Sequence, residues 1–512
     1  MDGDGAYLAP GLIDAHIHLE STYLGVEQAA GLMMTRGTTA IIADPHEIVN
    51  VAGAQGMMYM LDAAANTPLA IKYMLPSCVP ACAIEDLVTP FTAEDMRQFA
   101  GHPDIIGLGE MMDYPGLISG SDEVLDKILF AAQNGLIVDG HAPMLSDGIL
   151  DGYAGAGVRT DHECTTVEEL NDRISRGMYV MLRNGSAAKD LENLLPGVNE
   201  NSSRYCLICS DDKEVENIIN QGHLDESLRI CVRHGIDPIV AIQMATINAA
   251  ECYNLNDRGA IAPGRRADLV FFDDLTDFNV SRVMIGGKMV FANGQLQVPI
   301  IPTSHDSVAN SMHVKDFSID SLKLHLKSEE TVAMATLPHS LLTKKITVRP
   351  VRDADGFFRF SNDGLNKIAV IDRHRRSGAV GLGLIKGFGI TQGALALTIA
   401  HDSHHLIVIG ACDSDMEVAV NHLIECQGGI VVVSGGKVIG ELEMPIAGLM
   451  SDLDPIVVKD KLANIHEQCA NVLGIRENEP LVKLSFMALP VIPEIKMTPK
   501  GLFDVSEFKL ID

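Results

Sequence analysis

Apolar and polar positions repeat one arrangement along the first half of the chain. Short apolar or β-branched runs end in a polar or ionisable residue, and a stretch with helical spacing follows each. Eight such runs occupy 11–18, 38–44, 70–75, 105–110, 136–141, 158–162, 179–183 and 206–211. Helix candidates between them include 26–36, 92–100, 122–134 and 166–176. Strands that alternate with helices predict parallel pairing. Eight units predict a closed (β/α)8 barrel, an α/β fold whose chemistry gathers at the C-terminal ends of the strands. An open doubly wound sheet is the alternative, but no Gly-rich phosphate turn follows any early strand.

Beyond the barrel, 258–273 and 281–290 read as short strands joined by Gly turns, and 298–304 as a linker. From about 314 the pattern mixes strands (406–409, 429–434) with helices (415–427, 457–473). The expected organisation is a barrel over 8–256, a small β-domain over 257–300 and a C-terminal α+β domain over 314–512.

Composition narrows the class. In 512 residues, 39 Lys and Arg face 68 Asp and Glu, a net charge of −29 that argues against nucleic acid or an anionic membrane as partner. With 47% hydrophobic residues there is ample material for a core. The ten Cys are scattered rather than framed for disulfides, and the start of the chain is acidic, without a signal peptide's basic and apolar regions. No apolar run approaches the roughly 20 residues that span a bilayer. These features predict a cytoplasmic protein.

His16 and His18 are two apart in a strand and so face one side. That pair alone is a weak signal, but Glu110, His141, His162 and Asp211 end the fourth, fifth, sixth and eighth runs and would meet it at one barrel mouth. Four imidazoles and two carboxylates make a nitrogen/oxygen site for borderline divalent cations. Six ligands exceed the need of one open catalytic ion and predict two ions with a bridging carboxylate. Such a pair would lower the pKa of a water toward neutrality, and a carboxylate at the edge could move its proton.

At these residues the sequence resembles the amidohydrolase superfamily, and more narrowly its adenine deaminases. The resemblance is carried by the segments Ala-Pro-Gly-Leu-Ile-Asp-Ala-His-Ile-His-Leu-Glu-Ser (9–21), Ala-Asp-Pro-His-Glu-Ile (43–48) and Leu-Pro-Ser-Cys-Val-Pro-Ala (75–81). Gly-Leu-Gly-Glu-Met-Met (107–112), Asp-Gly-His-Ala-Pro (139–143), Asp-His-Glu-Cys-Thr-Thr (161–166) and Ser-Asp-Asp (210–212) extend it, and Ala-His-Asp-Ser-His (400–404) and 445–452 continue it into the last domain. It implies hydrolysis of adenine to hypoxanthine and ammonia in purine salvage, with two divalent ions, manganese first and iron or zinc as alternatives, in a homo-oligomer.

Carried over, His16, His18, Glu110, His141, His162 and Asp211 are the metal ligands, and Asp211, Glu163 and Glu110 the catalytic groups. Asp211 is preferred to Asp212 because it lies one residue closer to the strand. Asp44, His46, Glu47, Arg183, Ser186, His401, Asp402 and His404 are expected to bind substrate. Two departures stand out. Asn184 replaces the Glu of a family Arg-Glu-Gly-Ser segment, and Lys-Glu-Val at 213–215 replaces a common Arg-His-Pro. The family also carries a longer segment before the Pro-Gly-Leu-Ile-Asp stretch, so the small β-domain is expected to be incomplete, with exposed strand edges. Another aminopurine or cyclic amidine as substrate, or a silent barrel used as a binding subunit, are the competing readings.

Other motifs do not hold up. The Cys206/Cys209 pair lies within a strand and lacks a second pair, which predicts buried apolar thiols. There is no Gly-x-Ser-x-Gly elbow and no phosphate loop.

Overall fold

The computed structural model describes residues 3–338, 340–361, 363–477 and 479–511. Its strands in chain order are β1 (Tyr7–Pro10), β2 (Leu12–Ile17), β3 (Thr38–Ala43), β4 (Ala70–Leu75), β5 (Ile105–Met111), β6 (Ile137–Gly140), β7 (Thr160–Asp161), β8 (Tyr179–Arg183) and β9 (Cys206–Cys209). Strands β2 to β6 pair in parallel in sequence order, and β7 to β9 form a second parallel set. Bridges Val138↔Val158 and Ile17↔Asp211 join the two sets at both ends, so the eight strands close on themselves. Every residue of β2 and β3 is buried, which explains runs that read as continuously apolar rather than alternating. Ile13, Ala15, Ala40, Ile42, Met74, Met181 and Leu207 fill the interior.

The intervening helices settle where the spacing puts them, over Val26–Met34, Asp122–Gln133 and Val167–Ser175. The 92–100 segment is only one α-turn, Ala93–Met96, running into a 3-10 turn. Strand β7 is shorter than the 158–162 run because Asp161 ends it: its Oδ1 accepts the Ala142 and Glu163 amides instead of continuing a ladder. His162 therefore lies just past the strand.

Five strands form a separate antiparallel sheet in the order β1-β10-β11-β12-β13, with β10 (Leu269–Phe272), β11 (Val280–Ile285), β12 (Lys288–Ala292) and β13 (Gln295–Leu296). The segment just before the barrel thus belongs to this sheet as its outer strand β1, a pairing the sequence reading missed. A Cβ on Gly11, between β1 and β2, would come within 2.1 Å of Thr39, so glycine lets the chain pass from one sheet to the other.

The chain divides into two compact units: Met1–His46, Met57–Cys78 and Phe91–Ser304 make the first, and Glu47–Gly56, Val79–Pro90 and His305–Asp512 the second. The second unit was expected to be one continuous segment from 314, and instead includes two short stretches from between barrel strands. The helix His46–Ala64 crosses one of those boundaries and is broken at Gly53, whose φ of 56° an L side chain rarely adopts.

The second unit is built on an eight-stranded sheet of order β15-β14-β17-β16-β19-β18-β20-β21. Its strands are β14 (Thr331–Thr336), β15 (Thr343–Val348), β16 (Leu365–Ile371), β17 (Val380–Lys386), β18 (Ala394–Leu397), β19 (Leu406–Gly410), β20 (Gly429–Ser434) and β21 (Lys437–Glu443). Only the β14–β17 pairing is parallel. Helix Asp413–Glu425 buries Met416, Ala419, Val420 and Leu423 with Val408, Val431 and Val433 of the sheet. Strands β22 (Ile495–Thr498), β23 (Gly501–Asp504) and β24 (Lys509–Leu510) complete the α+β unit. Among the described residues no helix is long and apolar enough to cross a membrane.

Candidate metal centre and active site

The barrel mouth collects its side chains from strand ends. His18 Nδ1 lies 2.9 Å from the Asp44 carbonyl oxygen, which can only accept, so Nδ1 carries the proton and Nε2 presents a lone pair. That Nε2 stands 3.1 Å from His16 Nε2, 3.1 Å from Asp211 Oδ1 and 3.5 Å from Glu110 Oε1. Glu110 turns its other oxygen the opposite way, with Oε2 2.8 Å from His141 Nδ1 and 3.3 Å from His162 Nε2. One carboxylate thus faces one pair of histidines with each oxygen, the arrangement of a bridging ligand. His16, His18, His162, Glu110 and Asp211 are all buried, while His141 is partly open.

Lone pairs and carboxylate oxygens crowded this closely repel unless positive charge lies among them. In the metal-free protein protons supply it. Burial opposes a charged imidazole, yet the Asp211 hydrogen bond and the Glu110 charge raise His18 well above the usual range. His141 rises to about 9 in the same way, against burial and through Glu163 and Glu110. The histidines in turn hold Glu110, and with Arg183 hold Asp211, well below ordinary carboxylates despite burial. Cations and protons therefore compete for one set of atoms. The ligand atoms fall into overlapping groups, His16/His18/Glu110, His16/His162/Asp211 and Glu110/His141/His162, each within 4.8 Å. The donor set fits two divalent ions.

Buried groups behind the mouth fix these positions. Asp44 Oδ2 accepts the Glu110 amide at 2.9 Å, and a Cβ on Gly109 would sit 2.1 Å from that oxygen, so the strand needs glycine there. The Tyr153 hydroxyl donates to the Met111 carbonyl and accepts the His141 amide, both at 2.8 Å, tying β5 to β6. Arg173 donates to Asp161 Oδ2 at 2.9 Å and to the Ala142 and Leu145 carbonyls, which braces the turns carrying His141 and His162. Sequence reasoning missed Tyr153 and Arg173. Both lie on helices whose spacing reads as ordinary amphipathic packing, and no local signal marks them.

Asp211 adopts φ 55°, and its carboxylate is split: Oδ1 toward the histidines, Oδ2 3.0 Å from Arg183 Nη1. Arg183 also pairs with Glu163 and, at 2.9 Å, with Asp190. Burial pushes the Glu163 carboxyl up, but Arg183, His141 and His162 bring it below its usual range. Asp212 turns away and accepts the Ser21 hydroxyl at 2.5 Å. His46 Nδ1 lies 3.3 Å from Glu110 Oε1 and 3.7 Å from Asp44 Oδ1, which places this expected substrate residue beside the ligands. Ser186 uses its hydroxyl within the loop, donating to Asn217 and accepting the Glu214 amide, both at 2.8 Å.

Glu47, His401, Asp402 and His404 form a group of their own in the second unit. Glu47 Oε1 lies 3.5 Å from His401 Nδ1, and Oε2 3.8 Å from His404 Nε2. Asp402 Oδ1 is 3.7 Å from His401 Nδ1, and the His401 ring stacks on Phe486 at 4.3 Å. The Ala400 amide donates to His404 Nδ1 at 3.2 Å, so the neutral ring carries its proton on Nε2, facing Glu47. Cys206 and Cys209 are buried free thiols, and burial pushes Cys206 up to about 12.

Comparison with known proteins agrees with this layout. Residues 7–290 match the amidohydrolase family, and residues 340–509 match the adenine deaminase C-terminal domain. An adenine deaminase 2 of Desulfotalea psychrophila is 48% identical over 513 residues, covering 100% of this chain and 89% of that protein. Adenine deaminases of Nitratidesulfovibrio vulgaris (46% identical, 99% of this chain, 88% of that protein) and Clostridium acetobutylicum (43%, 100% and 90%) are similar at the same extent.

Proposed function

The chain belongs to the amidohydrolase family and, over its full length, groups with the adenine deaminases, and from that premise we propose a role for each residue at the mouth. The reaction is the hydrolysis of adenine at C6: a C–O bond forms from water, the exocyclic C–N bond breaks, and hypoxanthine and ammonia leave. Of the two water protons, one ends on ammonia and the other on a ring nitrogen of hypoxanthine.

His16 and His18, with Asp211, hold one divalent ion; His141 and His162 hold a second; Glu110 bridges. Manganese is the preferred ion, with iron or zinc as alternatives. Bound there, the ions supply the Lewis acidity that makes water nucleophilic near neutral pH. Asp211 accepts the proton released as water attacks and returns it to the departing amino nitrogen. Its depressed pKa in the metal-free site keeps it a carboxylate able to accept. Glu163, an anion in the grip of Arg183, takes the second proton and passes it to the ring. His46 and Asp44 stand where they can meet an edge of the purine, and Glu47, His401, Asp402 and His404 remain candidates for substrate contact through the second unit.

One observation carries this reading: Glu110 faces a histidine pair with each of its two oxygens. The test is metal analysis and adenine turnover, read as ammonia release and the absorbance change to hypoxanthine. Two divalent equivalents and activity are expected, with His16→Ala losing both. Full metal loading with turnover of a different base, and none of adenine, would overturn it.

A further inference from the structure

Lys213 is an ammonium with only 1% of its surface exposed, two residues beyond Asp211. Its Nζ donates to Glu226 Oε2 at 2.6 Å and to the Asn184 carbonyl at 3.1 Å. Asn184 closes the triangle: its side-chain amide donates to the same Glu226 oxygen at 3.2 Å and to Ser227 Oγ at 3.3 Å. Glu226 and Ser227 lie in the helix Leu224–Arg233, so the lysine joins three elements of the first unit. The two positions that depart from the family pattern thus meet in space, through a carboxylate far along the chain.

The triangle is fused to the catalytic segments. Asn184 follows Arg183 directly, and its amide donates to the Cys209 carbonyl at 3.0 Å. The Ser186 amide donates to the Asp212 carbonyl at 2.8 Å. The loop lies so close over the end of β9 that a Cβ on Gly185 would meet the Asp212 carbonyl oxygen at 2.8 Å and the Ser210 oxygen at 3.0 Å. Asp211 sits within this junction at φ 55°, a conformation its surroundings must impose. Its two oxygens need two different partners, which demands fixed spacing between the ends of β8 and β9.

We infer that Lys213, held by Glu226, is a positioning residue for the deamination: it pins the Asn184 carbonyl to the chain just after Asp211 and so keeps the Asp211 carboxylate shared between the histidines and Arg183. The inference rests on the role given to Asp211 under the proposed function. Displacement of a reacting group by about 1 Å costs on the order of 10²-fold in rate. A lysine that served packing alone would be replaceable by an apolar side chain once its counter-charge was removed too.

The experiment uses the full chain loaded with manganese and assayed on adenine. The double variant Lys213→Met/Glu226→Gln removes both charges, leaving no buried ion unpaired. Expected are two metal equivalents, a melting temperature near that of the parent, a kcat lower by roughly 10- to 100-fold and a KM within about threefold. Lys213→Arg, which keeps the donor, should recover most of kcat. Parent-like kcat in the double variant overturns the inference, as does loss of metal and fold together with kcat, which would make the pair structural. Asp211→Asn separates the two claims: activity surviving there sinks the role of Asp211 itself, whereas an inactive Asp211→Asn beside a fully active double variant sinks only the role of Lys213.

Discussion

Two buried groups of histidine and carboxylate occur in this molecule, one in each unit, and hydrogen placement sets them apart. At the barrel mouth a backbone carbonyl takes the His18 Nδ1 proton, so lone pairs point inward among carboxylate oxygens. In the second unit a backbone amide occupies His404 Nδ1, so the inward nitrogen bears the proton and faces Glu47. Similar residue types and spacing therefore give an unsatisfied anionic cage in one case and a set of charge-assisted contacts in the other. Whether a His–carboxylate cluster calls for a cation depends on what its outer nitrogens touch.

The largest test of that contrast is ligand removal. His18→Ala or Glu110→Ala should lower bound metal below two equivalents and cut turnover by about 10³-fold or more, the loss of several kcal/mol of Lewis-acid assistance. Glu47→Gln should instead leave two equivalents in place and lower stability by about 1–3 kcal/mol, read by denaturant unfolding. A third equivalent in the parent, lost in Glu47→Gln, would erase the distinction.

A smaller effect concerns Glu85, whose carboxylate accepts the Ser403 hydroxyl within the second unit. Burial, with Asp402 adding to it against the Ser403 hydrogen bond, raises Glu85 from 4.5 to about 8. Between those values the folded chain keeps a proton that the unfolded chain releases, so stability falls as pH rises through the window. Glu85→Gln has no proton to lose. Its melting temperature should gain on the parent from pH 5 to pH 8 by at least about 2–4 °C, and a constant difference would show an ordinary carboxyl there. The smallest effect is expected at Arg349 and Glu330, paired at 2.6 Å but exposed at 79% and 53% of their side-chain surface. Arg349→Ala should change stability by less than about 1 kcal/mol.

Much of the barrel was legible because each strand is buried on both faces and ends in a chemically distinctive residue. The run 179–183 matches β8 residue for residue. Periodicity could not reveal pairings made across long separations: β1 with β10, or the stretches 47–56 and 79–90 with a unit that begins at 305. The six expected ligands share one face of the barrel because strand ends were readable. Tyr153, Arg173 and the Lys213–Glu226–Asn184 triangle were not, since each acts through a hydrogen bond to backbone that no local pattern encodes. Ser186 shows the reverse: a plausible substrate contact by motif, its hydroxyl is engaged inside its own loop.

The interleaving of the two units bears on synthesis. Residues 47–56 and 79–90 leave the ribosome long before His305–Asp512, the unit they complete. Glu47 and Glu85 must wait, exposed, until His401, His404 and Ser403 have been made. A gene fragment encoding the C-terminal portion alone would translate histidines without their carboxylates, and one encoding the barrel alone would carry two orphaned loops. The chain is consequently poorly suited to being cut at a single point, and a split or permuted version would have to keep those early loops and the late sheet within one polypeptide.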